Sequence, residues 1–230
     1  MGDAVVDVWV RDTSVERVPS PGVDDAGALD EHERERWARF VDAPAARSYL
    51  ALHLLARSQI GSLLGRPPES LRFDRTCPDC DRQHGRPLLV DDPGLHLSLS
   101  RSGCVVALAL SRSGPVGIDV EQVEAARFEG FEGVALHARE RGAVAGAPSR
   151  APSRAPSGAA SWVRKEAALK ALGVGLRVDP TTFVTPRPGV PTEIVPGMPC
   201  PTVMDVDAPT GCAAAVALTS CPGGFEVRHH

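Results

Sequence analysis

The segment Gly117-Ile118-Asp119-Val120-Glu121 carries the sharpest chemical signal in the chain. In a strand, side chains alternate between two faces, so Asp119 and Glu121 point one way while Ile118 and Val120 enter a core. Two carboxylates about 7 Å apart along one strand repel each other unless a cation sits between them. Hard oxygen donors on a rigid element suit Mg²⁺, which takes few protein carboxylates and completes its shell with water and substrate phosphate. A solvated edge face would carry the same pattern without function. The segment Trp162-Val163-Arg164-Lys165-Glu166-Ala167-Ala168-Leu169-Lys170 weighs against that plain reading. It is a strong helix former and sets Glu166 and Lys170 four residues apart on one face. An ordinary surface ion pair there contributes roughly a few tenths of a kcal/mol. It explains neither a third carboxylate nor the choice of cation. Of 25 basic residues only Lys165 and Lys170 are lysine, and ammonium and guanidinium are not interchangeable at a tight anionic site. Glu166 is therefore assigned to a metal or to proton abstraction, and Lys170 to a phosphate oxygen.

These groups need a scaffold. The 230 residues are 43% hydrophobic and 23% charged, enough apolar material for one domain or two small ones. A net charge of −4 and only 4% aromatic residues argue against a nucleic-acid partner. No run reaches the ~18 apolar residues of a membrane span, and no signal-peptide core begins the chain, so a cytoplasmic protein is expected. Residues 5–10 alternate weakly, as a strand does. Residues 29–40 follow a charged helical pattern with Trp37 and Phe40 as apolar contacts. The clearest amphipathic helix covers 47–64, where Leu50, Leu54, Leu55, Ile60, Leu63 and Leu64 recur at helical spacing and Gly65 follows as a stop. Short strands are predicted at 71–73 and 88–90 around a turn-rich insert, then a pair at 95–99 and 105–110, and another at 116–120. Helical patterns return at 134–141 and 162–172, and strands at 202–206 and 213–218. The segment 147–158 repeats Ala-Pro-Ser-Arg and cannot bury itself, so it reads as a flexible surface loop.

A longer-range repeat bears on the architecture. Segments 103–111 (GCVVALALS) and 211–219 (GCAAAVALT) start 108 residues apart, close to half the chain. Duplication of one α/β unit accounts for this, and the expected fold is α+β. It consists of two pseudo-duplicated subdomains with mainly antiparallel sheets and a ligand cleft between them. The expected units are 1–114 and 115–230.

The six cysteines are too sparse for a disulfide scaffold. Cys104 and Cys212, in alanine-rich strands, are expected to be core residues. Cys77, Cys80 and His84 form C-x₂-C-x₃-H, but a structural zinc site takes four ligands and no second pair follows at suitable spacing. The segment therefore reads as a turn rather than a metal site.

A G-I-D-V-E strand followed by a W-x-x-K-E-A-x-x-K helix resembles the double signature of the 4′-phosphopantetheinyl transferases. Length and apparent duplication resemble the two-domain, surfactin-type class. Other stretches agree in order. The helix ending Leu-Leu-Ala-Arg-Ser-Gln-Ile at position 60 is similar to the family's N-terminal helix. Leu71-Arg72-Phe73 with His84-Gly85-Arg86-Pro87 is similar to its "RF…GKP" stretch, and residues 97–103 to its "NLSHSG" stretch. The resemblance implies Mg²⁺-dependent transfer of phosphopantetheine from coenzyme A to a serine of an acyl or peptidyl carrier protein. Asp119, Glu121 and Glu166 would then hold Mg²⁺, Glu166 would act as base, and Lys170 would contact the pyrophosphate. Arg86, Ser100 and Arg101 would bind the nucleotide half of coenzyme A, and Arg36, Arg39, Arg47 and Ser48 its 3′-phosphate. A monomer is expected. Arg101 stands where the family usually has His, so it serves phosphate but does not titrate near neutrality. The rival readings are another coenzyme A-dependent enzyme, such as an acyltransferase, and a zinc-stabilised binding module around Cys77 and Cys80.

Overall fold

Strand alternation decides the layering of this protein. A computed structural model describes residues 4–15, 25–141, 158–219 and 224–230. The chain runs β1 (Ala4–Asp12), α1 (Glu31–Ala38), α2 (Ala43–Leu64), β2 (Phe73–Thr76), β3 (Gln83–Leu89), β4 (His96–Ser102), β5 (Val105–Ser111) and β6 (Val116–Gln122). It continues through α3 (Phe131–Ala135), α4 (Gly158–Leu172), β7 (Thr202–Val206), β8 (Cys212–Leu218) and β9 (Phe225–His229). One sheet has the order β4-β5-β1-β9 and a second the order β6-β8-β7, while β2 and β3 pair as a separate hairpin. Ladder pairings are antiparallel except β1 with β9. The expected α+β class with mainly antiparallel sheets is borne out.

The two main sheets lie face to face. Val6, Val8, Val105, Ala107 and Ala109 of one meet Val116, Ile118, Val120, Ala214, Val216 and Leu218 of the other. Outside the first sheet, Trp9, Leu108 and Leu110 pack against Ala56 and Ile60 of α2. Outside the second, Ala215 and Ala217 pack against Val163, Ala167 and Ala171 of α4. The layers are helix, sheet, sheet, helix.

Topology carries the duplication more clearly than the sequence repeat does. The trios β4-β5-β1 and β7-β8-β6 have the same order, each with a hairpin's second strand at the centre. The repeated segments do lie on β5 and β8, but they are one residue out of phase. Ala107 faces the inter-sheet core, whereas the Ala215 aligned with it faces α4. A one-residue slip exchanges the faces of a strand. The unit boundary expected at 114/115 lies in the β5–β6 connection, and β9 returns to the first sheet beside β1.

Three local expectations need correcting. In α1 the buried residue is Glu33, 1% exposed, rather than Trp37. The helix predicted over 134–141 stops with α3 at Ala135. The Ala135 carbonyl, left free at the helix end, accepts from Lys165 Nζ at 3.0 Å. Strand β9 has no counterpart in the predicted elements. The expected loop 147–158 lies outside the described residues except for Gly158, the first residue of α4. Helix α2 stops at Gly65 as predicted. Cys104 and Cys212 are partly buried against the inter-sheet core. Among the described residues, no helix is long and apolar enough to cross a membrane.

Candidate active site

Edge strands β4 and β6 meet along a seam where side chains replace a backbone ladder. The hydroxyls of Ser98, Ser100 and Ser102 accept the N–H groups of Ile118, Val120 and Gln122 at 3.0, 3.3 and 3.1 Å. The period-two serines of β4 thus satisfy donors that an exposed sheet edge leaves unpaired. Two of them also donate onward, Ser100 to Asp119 Oδ1 at 2.8 Å and Ser102 to Glu121 Oε2 at 2.6 Å. The seam therefore fixes the backbone of β6 and aims its two carboxylates. Sequence reasoning passed over Ser98 and Ser102 in this role; their alternation with Leu97, Leu99 and Arg101 was the available signal.

Helix α4 crosses β6 at Gly117. A Cβ there would lie 2.0 Å from the Ala167 carbonyl oxygen and 2.5 Å from the Ala171 nitrogen. Only glycine permits this approach, and it sets the helix face bearing Glu166 and Lys170 beside Asp119. Lys170 Nζ donates to Asp119 Oδ1 at 2.7 Å, to the Ile118 carbonyl at 3.1 Å and to Ser100 Oγ at 3.3 Å. Lys165, the other lysine, faces away and is fully buried. Its three protons go to Ala135 O, Pro180 O and Glu140 Oε2 at 3.0, 2.8 and 2.9 Å. Trp162 packs edge-on against Phe131 of α3 and lines the cleft with Asp119, Glu121 and Glu166.

Asp119, Glu121, Glu166 and Lys170 line one cleft of about 450 Å³. Burial, then the charges of Asp119 and Glu121, push the Glu166 carboxyl up to about 6, with Lys170 opposing. Burial also raises Glu121, against the Ser102 hydrogen bond, and Asp119 adds to the rise. Asp119 Oδ2 is buried with no hydrogen-bond partner among the described residues. One ammonium thus faces three carboxylates, with a buried lone-pair oxygen unused. That donor set fits a hard divalent cation. The three carboxylates share the cleft but stand wider apart than 4.8 Å as a set.

Two further clefts continue the groove. In one, Arg36, Arg39 and Arg101 converge with His32, Phe40 and His84. The Arg101 guanidinium lies over the Phe40 ring, 5.0 Å from its centroid, and reaches Ser48 Oγ at 3.5 Å. Ser48 is buried in the first turns of α2, whereas Arg47 is exposed and lines none of these clefts. Next to Lys170, Arg86, Pro87, Leu97, Leu99, Val174 and Leu176 line a more apolar trough, which shares His84 with the arginine cleft. Arg86 is half-buried, its Nε without a partner among the described residues, and burial lowers its pKa. Arg86 lines the trough, and Gly85 and Pro87 on either side of it line the carboxylate cleft together with Arg36 and Arg101. Ser100, expected beside the nucleotide, is engaged with Asp119 and Lys170.

A buried ion network holds α1 in place. Glu33 accepts from Arg57 Nε at 2.7 Å and from Arg75, and His53 Nδ1 lies 3.0 Å away. Arg57 and Arg75 also reach Asp30, the N-cap of α1, at 2.8 and 2.9 Å. Arg36 rides on this helix, so the network positions a cation of the groove.

Residues 115–194 match the family model described as the 4′-phosphopantetheinyl transferase superfamily. The chain is also 26% identical over 162 residues to an L-aminoadipate-semialdehyde dehydrogenase-phosphopantetheinyl transferase of Mus musculus. The same identity and length hold for the protein of that name from Rattus norvegicus. Each match covers 65% of this chain and 50% of the relative, so the chain spans about half the length of the curated relatives it matches. The matched residues 115–194 contain β6 and α4, and with them every carboxylate of the cleft. The family named from the two signature segments, the 4′-phosphopantetheinyl transferase superfamily, is thus the one that residues 115–194 match.

Proposed function

We propose that this protein transfers 4′-phosphopantetheine from coenzyme A to a serine of an acyl or peptidyl carrier protein, with Mg²⁺ as cofactor. The observation that carries the reading is the gathering of Asp119, Glu121, Glu166 and Lys170 in one cleft. An arginine-lined cleft and an apolar trough, which share His84, adjoin it. A nucleotide, a pyrophosphate and a pantetheine arm follow in that order along coenzyme A.

Arg36, Arg39 and Arg101 bind the phosphorylated nucleotide end, where guanidinium groups suit phosphate oxygens. Ser48 steadies Arg101. Arg86 contacts the nucleotide half of coenzyme A from the trough wall, and the apolar side chains of the trough hold the pantetheine arm near Lys170. Asp119, Glu121 and Glu166 would hold Mg²⁺, which when bound neutralises charge on the pyrophosphate. Glu166 takes the proton of the carrier serine, directly or through a water. The serine oxygen bonds to the phosphorus that bears pantetheine, and the bond from that phosphorus to the bridging oxygen breaks. Adenosine 3′,5′-bisphosphate leaves while Lys170 offsets the charge developing on it. Positioning and charge neutralisation are what phosphoryl transfer asks of a protein. In this reading residues 1–114 supply the nucleotide contacts and 115–230 the metal and catalytic groups, in a monomeric cytoplasmic enzyme.

Chromatography of the reaction of protein, coenzyme A and apo-carrier tests the proposal. Release of adenosine 3′,5′-bisphosphate that stops with EDTA and resumes with Mg²⁺ supports it. An acyltransferase would release none, and that outcome would overturn it.

A further inference from the structure

We infer that Cys77, Cys80 and His84 form a zinc site at the tip of the β2–β3 hairpin, separate from the carboxylate cleft. The site has three protein ligands and a fourth position open to water. In sequence the three residues lack a fourth partner; the geometry supplies what spacing leaves out. One donor atom from each lies within 4.8 Å of the other two, and they are the group of His, Cys, Asp and Glu side chains that converges this closely among the described residues. Cys80 Sγ and His84 Nε2 are 2.9 Å apart. A tetrahedral Zn²⁺, with Zn–S ~2.3 Å and Zn–N ~2.0 Å, separates its donors by about 3.5–3.8 Å. Cys80 Sγ and His84 Nε2, at 2.9 Å, would move apart by about 0.6 Å to admit the ion, within reach of a side-chain rotation.

The hairpin is folded to bring these groups together. Cys77 N–H bonds to the Arg82 carbonyl at 2.8 Å and Asp81 N–H returns to the Cys77 carbonyl at 2.9 Å. Asp81 takes a left-handed conformation, φ 57°, which turns the chain back after Cys80. At Gly85 a Cβ would lie 2.8 Å from the Thr76 carbonyl, so β3 crosses β2 tightly just after His84. Arg82 Nε stands 3.5 Å from Cys80 Sγ, which places a cation beside this thiol. Thiolate and imidazole donors suit Zn²⁺ and not Mg²⁺. Cys77 is buried while Cys80 and His84 are exposed, which leaves the outer coordination position to solvent. Cys77 and His84 line the apolar trough, and Gly85, Arg86 and Pro87 continue its wall. The metal thus pins the strand bearing Arg86.

Elemental analysis of the full chain, purified under a phosphine reductant without chelator, tests this. One zinc per chain is expected. Cobalt(II) added to the chelator-stripped protein should give thiolate charge-transfer and tetrahedral visible bands. Cys80→Ser and His84→Asn, both at exposed positions, should lose zinc and those bands while keeping the wild-type far-UV circular dichroism. Asp119→Ala should keep zinc and the bands, since it shares no ligand with this site. Wild-type protein without zinc and without cobalt bands overturns the inference, as does full zinc retention in Cys80→Ser.

Discussion

Ser100 Oγ lies 2.8 Å from Asp119 Oδ1 while accepting the Val120 N–H at 3.3 Å, so one hydroxyl both closes the seam between the sheets and aims a carboxylate. Ser100→Ala leaves a buried N–H unpaired, which costs about 1–3 kcal/mol. Thermal unfolding should fall by several degrees, at roughly 2–4 °C per kcal/mol for a chain of this size. Ser100→Thr keeps the hydroxyl and should restore much of the loss. Equal melting of Ser100→Ala and wild type would show the seam to be inert.

Gly117 governs how close α4 comes to β6. Its added methyl group would meet backbone atoms of Ala167 and Ala171, which have no rotamer to relieve the clash. Gly117→Ala should destabilise the protein by at least the ~1–3 kcal/mol typical of overpacking and move Glu166 away from Asp119. The check pairs a melting curve with the rise in melting temperature on adding Mg²⁺, which should shrink. An unchanged Mg²⁺ response would contradict the positioning role.

The two lysines separate by experiment. Lys165 is fully buried with three acceptors, so Lys165→Met strands the Glu140 carboxylate and two carbonyls, and breaking such a pair costs about 3–5 kcal/mol. Lys170 is partly exposed and meets Asp119 at the cleft. Lys170→Ala unpairs the buried Asp119 carboxylate, so melting should fall by up to about 3–5 kcal/mol, while turnover collapses even where the variant is still folded. Circular dichroism melts beside turnover assays check both. Only Lys170 then accounts for a chemical need; Lys165 is a structural tie.

Local pattern gave away the elements that do their own burying. The alternation of Ile118 and Val120 against Asp119 and Glu121 located β6 and the face its carboxylates share, and the helical spacing of Glu166 and Lys170 located α4. Groups whose role depends on a distant partner stayed hidden. Glu33 reads as a surface residue in Glu-His-Glu-Arg-Glu-Arg because its partners, Arg57 and Arg75, come from α2 and β2. The Ala135 carbonyl at the end of α3 is met by Lys165, thirty residues on. Strand β9 forms because β1 offers it a partner. The GC-x₇ repeat pointed to a duplication that the strand order carries, although its own alignment is one residue out of phase.

Burial alone would raise the Glu33 carboxyl, but the hydrogen bond and charge of His53, with Arg57, hold it at about 2 against an ordinary 4.5. Because the native value is the lower one, the stabilisation is whole above pH 4.5 and is lost as pH falls through about 2. The shift corresponds to about 3 kcal/mol. Glu33→Gln should be destabilised by about 3–5 kcal/mol at neutral pH, because Arg57 and Arg75 lose their buried counter-charge. Its deficit against wild type should narrow between pH 4.5 and 2 in urea titrations. A deficit that stays constant across that window would place the stabilising charge elsewhere.

The mass of an apo-carrier protein, measured intact after incubation with this protein, coenzyme A and Mg²⁺, bears most directly on the carboxylate cleft. Wild type should add one phosphopantetheine per carrier. Asp119→Ala should add none when assayed where its circular dichroism shows it folded, although losing the buried carboxylate that Ser100 and Lys170 contact lowers its melting temperature. A carrier modified equally by Asp119→Ala, or never modified by wild type across a panel of acyl and peptidyl carriers, would contradict the account.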